Sequence, residues 1–188
     1  MSTSEPSSDD ETTRGEQTFR TKLKNVRQKS TFERTLCDFF PEGVLGGLVT
    51  EEMIKDVLNI KKPTPEDDAL VQFIRTQAQK VFTIAVCAKL TKINKIMKWF
   101  QSKGLNDTDL PITDPENAFC KRSWYDDLIE HQWKFYAATF STTKYNHDLE
   151  ESRILPFTSK ANDDGRGSFG VVSRYVMHQN HMEPVGTH

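Results

Sequence analysis

The residues best suited to chemistry form one run near the end of the sequence, Gly165-Arg166-Gly167-Ser168-Phe169-Gly170-Val171-Val172. Its G-x-G-x-x-G spacing suits a loop that holds phosphate, because glycines leave no Cβ between the backbone N–H groups and the phosphate oxygens. A dinucleotide-binding turn would open a helix, whose N-terminus faces the pyrophosphate. Here Val171, Val172, Ser173, Arg174, Tyr175, Val176 and Met177 follow, β-branched and aromatic types that predict a strand. No Gly-Lys-Ser/Thr follows, which excludes a Walker A loop. A glycine loop between two strands, with an aromatic before the third Gly and Val two residues after it, points instead to ATP phosphates. Gly165, Gly167 and Gly170 would then supply the phosphate-facing backbone. Phe169 would cover the loop tip and Val172 would press on the adenine. The competing bland reading is an ordinary hairpin turn built on Asp164-Gly165.

Two upstream segments sharpen this reading. His131-Gln132-Trp133-Lys134-Phe135, Ile154-Leu155-Pro156-Phe157-Thr158 and the glycine run together resemble the junction into the catalytic domain of fungal serine/threonine protein kinases. The resemblance covers roughly the last third of the chain and is looser before it. It implies the N-terminal portion of a kinase-like chain, with a helical region ahead of the first hairpin of an N-lobe. It implies ATP as cofactor, held by Gly165, Arg166, Gly167, Ser168, Phe169, Gly170 and Val172. In a complete family member the reaction is phosphoryl transfer from Mg-ATP to Ser or Thr. This sequence departs from the family at Asn162-Asp163-Asp164, where an aliphatic residue usually precedes the first Gly. Carboxylates there repel phosphate unless they point outward. Phosphoryl transfer also requires a strand-three Lys, a catalytic Asp and magnesium ligands. No V-A-I-K, H-R-D or D-F-G occurs in the 188 residues. No catalytic or metal residue is therefore expected, and the chain alone is expected to be inactive. The alternative function is a non-catalytic helical interaction module with a kinase remnant.

Such a hairpin needs a body to hold it, and the periodicity predicts helices. Phe19, Leu23 and Val26 make one apolar stripe on a segment carrying Arg20, Lys22, Lys24, Arg27 and Lys29. This reads as a solvated basic helix face. A nuclear-import signal, a membrane-surface helix and an acidic-partner site remain as sharper alternatives. Phe32, Leu36, Phe39 and Phe40 continue an amphipathic pattern up to Pro41. Thr50 is a good N-cap for a short helix burying Met53, Ile54, Val57 and Leu58. Thr64-Pro65-Glu66-Asp67 is a strong helix start. Leu70, Phe73, Ile74, Val81, Ile84, Ala85 and Ala88 then predict one helix of about 25 residues. Ile93, Ile96, Met97 and Phe100 predict another, ended by Gly104. Residues 106–117 read as a loop. Residues 124–140 carry two apolar stripes and predict a helix buried on more than one side, with Asp127 a possible partner of His131.

The expected class is mostly α, an irregular bundle of four or five helices with a disordered start and a short C-terminal β-hairpin. Residues 1–18 are the expected tail, 19–140 the helical region, 141–153 a polar linker and 154–188 the partial kinase N-lobe. The hairpin is expected to be poorly ordered. With 25 Lys+Arg against 27 Asp+Glu there is no overall basic field, which disfavours nucleic acid. No apolar run approaches a membrane span, and the first residues lack the pattern of a signal peptide. Cys37, Cys87 and Cys120 are too few and too scattered for a disulfide framework or a compact zinc site. They suit a reducing compartment, cytoplasmic or nuclear. The acids of residues 106–117 lack the Gly and Glu positions of a calcium loop. His178-x-x-His181 lacks a third ligand and reads as solvated. A protein partner for the helical region is possible, and the oligomeric state is open.

Overall fold

The computed structural model describes residues 13–32, 37–113, 123–141, 143–144, 146–161, 166–167, 170–171 and 173–183. Six α-helices among these residues are followed by short antiparallel strand pairs. Helix α1 (Arg14–Val26) starts where the Thr13 hydroxyl accepts the Glu16 N–H at 3.1 Å. It thus takes in residues 14–18, which the sequence reading gave to the tail. The reason is the Thr13-x-x-Glu16 spacing, which suits a capping box. Residues 1–12 lie outside the described set. Phe19 and Leu23 are buried, as the stripe predicts, and the Phe19 ring lies 5.7 Å from that of Phe82.

The amphipathic pattern after α1 does not continue as helix. Strands β1 (Gln28–Lys29) and β2 (Asp38–Phe39) pair antiparallel, Gln28 opposite Phe39. Phe39 is drawn into a small core with Ala137 and Ile154, separate from the helical core, and this tertiary pull overrides the helical spacing. Leu36 lies outside the described residues. Helix α2 (Glu51–Val57) is capped by Thr50, and α3 (Pro65–Gln77) by the reciprocal Thr64–Asp67 box.

The long helix expected after Pro65 is two helices. Ala78 leaves helical geometry (φ −134°, ψ 36°), and α4 (Gln79–Cys87) starts afresh. Ala78 has no side chain with which to cap it. The Asp107 carboxylate does so from across the fold, accepting the Lys80 N–H at 2.9 Å and the Val81 N–H at 3.0 Å. Residues 81–86 of α4 are all buried, so α4 is the central helix, packed by α1 and α3 and by the two helices that follow. Helix α5 (Ile93–Ser102) ends, as expected, before Gly104 in the left-handed region (φ 66°).

Helix α6 (Tyr125–Gln132) is shorter than its stripes suggest. A 3₁₀ turn, Trp133–Phe135, follows it, and the chain then runs on without helix. Buried Gln132 is one cause of its placement. Its amide pairs with both backbone groups of Ile112, at 2.8 and 3.0 Å, and fixes the helix end to that loop. The last described segment holds β3 (Phe157–Lys160) antiparallel to β6 (Tyr175–Met177), and β4 (Arg166–Gly167) antiparallel to β5 (Gly170–Val171). No helix among the described residues is long and apolar enough to cross a membrane.

Candidate functional site: the glycine hairpin and its mount

The strands around the glycines form two short antiparallel pairs, β3 with β6 and β4 with β5. Phe157 stands opposite Met177 and Lys160 opposite Tyr175. Ala161 N–H extends the pairing to Arg174 O at 2.8 Å. In the second pair Arg166 stands opposite Val171, and Gly167 opposite Gly170. Gly167 and Gly170 thus lie on paired antiparallel strands, and the next described element is the strand β6, not a helix. Of the residues expected to hold nucleotide, Arg166 and Gly167 are on β4 and Gly170 is on β5. Gly165, Ser168, Phe169 and Val172 lie outside the described residues.

Aromatic rings mount the hairpin on the helical body. Phe157 and Tyr175 stack at 5.0 Å across β3 and β6. The Phe32 ring meets both edge-on, at 5.9 and 5.7 Å, and Phe140 lies 6.4 Å from Phe157. Such ring pairs add about 0.5–1.5 kcal/mol beyond their buried area. Fully buried Ser30 donates its hydroxyl to Leu155 O at 2.7 Å and accepts the Phe32 N–H at 3.2 Å. Thr31 N–H donates to Phe157 O at 2.8 Å. The hairpin follows the polar linker of residues 141–153. Its base bonds to the chain between α1 and β2.

His181 makes a second attachment. It is buried, not solvated as the sequence suggests, and it works as a structural residue. Its Nε2 accepts the Glu42 N–H at 3.2 Å, which leaves Nδ1 to donate to Ala138 O at 3.1 Å. Burial is the main cause that depresses its pKa; the bond to Ala138 opposes this. His178 accepts the Asn180 N–H, and the two rings lie 6.0 Å apart. No group of three or more possible metal ligands occurs among the described residues. His131 bonds the backbone carbonyl of Asp127 at 3.0 Å, not its carboxylate.

Asp107 carries the strongest polar cluster of the helical body. Burial raises its pKa, against the pull of the two N–H groups it caps. Tyr136 donates to Asp107 O at 2.8 Å, and Lys80 Nζ lies 4.5 Å from the Tyr136 ring centre. Lys80 also pairs with Glu42 at 3.4 Å. The sequence reading missed Ser30, Asp107, Gln132 and His181, because each acts on backbone that is distant in sequence. For His181 alone a signal existed: the His-x-x-His spacing singled it out, although for metal.

Comparison of the chain with protein-family models, with curated proteins and with solved structures gives no match.

Proposed function

We propose that the chain is the N-terminal portion of a serine/threonine protein kinase-like protein. In this reading the Gly165–Gly170 segment forms the ATP phosphate loop, and the helices form a regulatory or interaction module on which it is mounted. The observation that carries the reading is the strand-glycine-strand arrangement, with Gly167 on β4 opposite Gly170 on β5 and strand β6 after them. Strand rather than helix after Gly170 disfavours the helix-opening dinucleotide turn, and glycines in such a hairpin would let backbone N–H groups meet phosphate. The half-exposed Val176 gives the hairpin an apolar face for further packing. The mount of Ser30, Phe32 and Phe140 supports the reading, because a phosphate loop requires a rigid base.

The sequence has neither the base nor the magnesium ligands of the kinase reaction, so the proposal predicts no phosphoryl transfer by this chain alone. The test is incubation of the purified chain with radiolabelled Mg-ATP and a generic protein substrate. Transfer above that of a Gly165→Ala/Gly167→Ala control would overturn the proposal. The second reading is a helical interaction module with a kinase remnant. It is favoured by the complete, well-buried core that α1 to α6 form without the hairpin.

A further inference from the structure

The helical body carries a concentration of charge that the chain as a whole does not. The formal net charge is −2. Yet a cleft of about 140 Å³ between α1, the end of α4 and the turn after α6 is rimmed by Arg20, Lys24, Arg27, Lys89 and Lys134, with no carboxylate in its lining. Its floor is apolar, made by Leu23, Phe40 and Cys87. Two of the cations are anchored. Arg20 bonds Val86 O at 3.0 Å and pairs with Glu16 at 3.2 Å, and Arg27 pairs with Asp38 at 2.9 Å. Lys24, Lys89 and Lys134 have no carboxylate partner among the described residues. The nearby cations pull the Cys87 thiol pKa down. Burial outweighs them and sets it at about 11, so the floor stays neutral at pH 7.

Lys89 also lines an adjoining cleft of about 400 Å³, with Lys92, Lys95, the rings of Trp99 and Trp124 and one carboxylate, Asp127. Lys92 and Lys95 sit at the N-terminus of α5, whose first turn has no acid. A helix N-terminus is the positive end of the dipole, so cations there oppose the helix.

We propose that these two clefts, joined at Lys89, form one docking groove for an acidic peptide segment that carries apolar anchor residues. The rim cations match carboxylates, and the apolar floor and the indoles match the anchors. The chain's own acidic run of Glu5, Asp9, Asp10 and Glu11 supplies charge without apolar anchors and does not match the groove, so the proposed occupant is a segment of another protein. A nucleic acid fits less well. The floor ring of Phe40 is stacked on Phe135 at 4.4 Å, nearly parallel, so one of its faces is already taken. The groove rests on the helices being an interaction module and stands whether or not the glycine hairpin binds nucleotide.

The test uses the whole chain and fluorescence anisotropy with three labelled probes. These are a short Asp/Glu peptide interrupted by Phe, the same peptide with Ala for Phe, and a single-stranded oligonucleotide of equal charge. The Phe peptide should bind, weaken with added salt, and exceed both other probes by about tenfold. Lys24→Gln/Lys89→Gln/Lys134→Gln should lose about tenfold in affinity while its circular dichroism stays that of the parent. Lys61→Gln/Lys62→Gln, at exposed positions outside both clefts, should bind as the parent does. Absence of binding by the Phe peptide, undiminished binding by the triple variant, or an oligonucleotide that binds as tightly would overturn the proposal. The three-probe comparison decides on the parent chain even if the triple variant unfolds.

Discussion

His181 is neutral in the folded chain because its Nε2 accepts a hydrogen bond, and a second proton there would face the Glu42 N–H. Its pKa is depressed below the usual 6.5, first by burial. Stability from this group is therefore complete above about pH 6.5 and is lost as pH falls through the lower folded value. The other groups that act on the ring are His178, Glu42 and Lys80. The melting temperature of the parent should fall more steeply from about pH 7 to pH 5 than that of His181→Gln, and equal slopes would refute this. Gly15 gives a steric prediction. A Cβ there would stand 2.3 Å from the backbone C and O of Asp56, so Gly15→Ala should cost about 1–3 kcal/mol in chemical denaturation. Cys37 is exposed, whereas Cys87 is largely buried and its thiol is protonated at neutral pH. Mass spectrometry after thiol labelling at pH 8 should find Cys37 modified well before Cys87. Of these residues, His181 drew notice in the sequence only through its His-x-x-His spacing, and Cys37 and Cys87 only through their scatter. Gly15 and His181 owe their roles to neighbours that spacing does not reveal.

The starts of α2 and α3 were legible because their capping residues are local, whereas the equally local cap Thr13 was read as tail. Thr50 and Thr64 announce α2 and α3, and both caps are formed. The break at Ala78 was illegible, because apolar residues keep helical spacing across it and the cap, Asp107, arrives from a later loop. Asp107→Ala would strand two N–H groups at the start of the central helix. It should destabilise the chain by about 1–2 kcal/mol, read by thermal or chemical denaturation. A stability unchanged from the parent would show that water replaces the carboxylate. The 124–140 pattern misled for a related reason. Its two stripes record burial on two sides, and the chain achieves this with a short helix, a 3₁₀ turn and a non-helical run. Phe32 to Phe40 misled similarly, since aromatic residues bury well in either helix or hairpin.

At the scale of the whole molecule, the helical class and the strand pairing around the glycines were legible, and the junction between them was not. Ser30, the aromatic rings and His181 tie the hairpin to the body at residues far apart in sequence. Ser30→Ala should therefore speed hydrogen exchange in Phe157–Lys160 and Tyr175–Met177 while Pro65–Gln77 keeps its protection. Equal exchange in both places would mean that Ser30 does not hold the hairpin. The proposed kinase-like role depends on the hairpin belonging to a larger N-lobe. It is tested most directly by sequencing the transcript through the codon for His188. The proposal predicts an in-frame strand with an Ala-x-Lys motif shortly after that codon, whereas a stop codon immediately after it would contradict the kinase-like assignment and favour the helical interaction module.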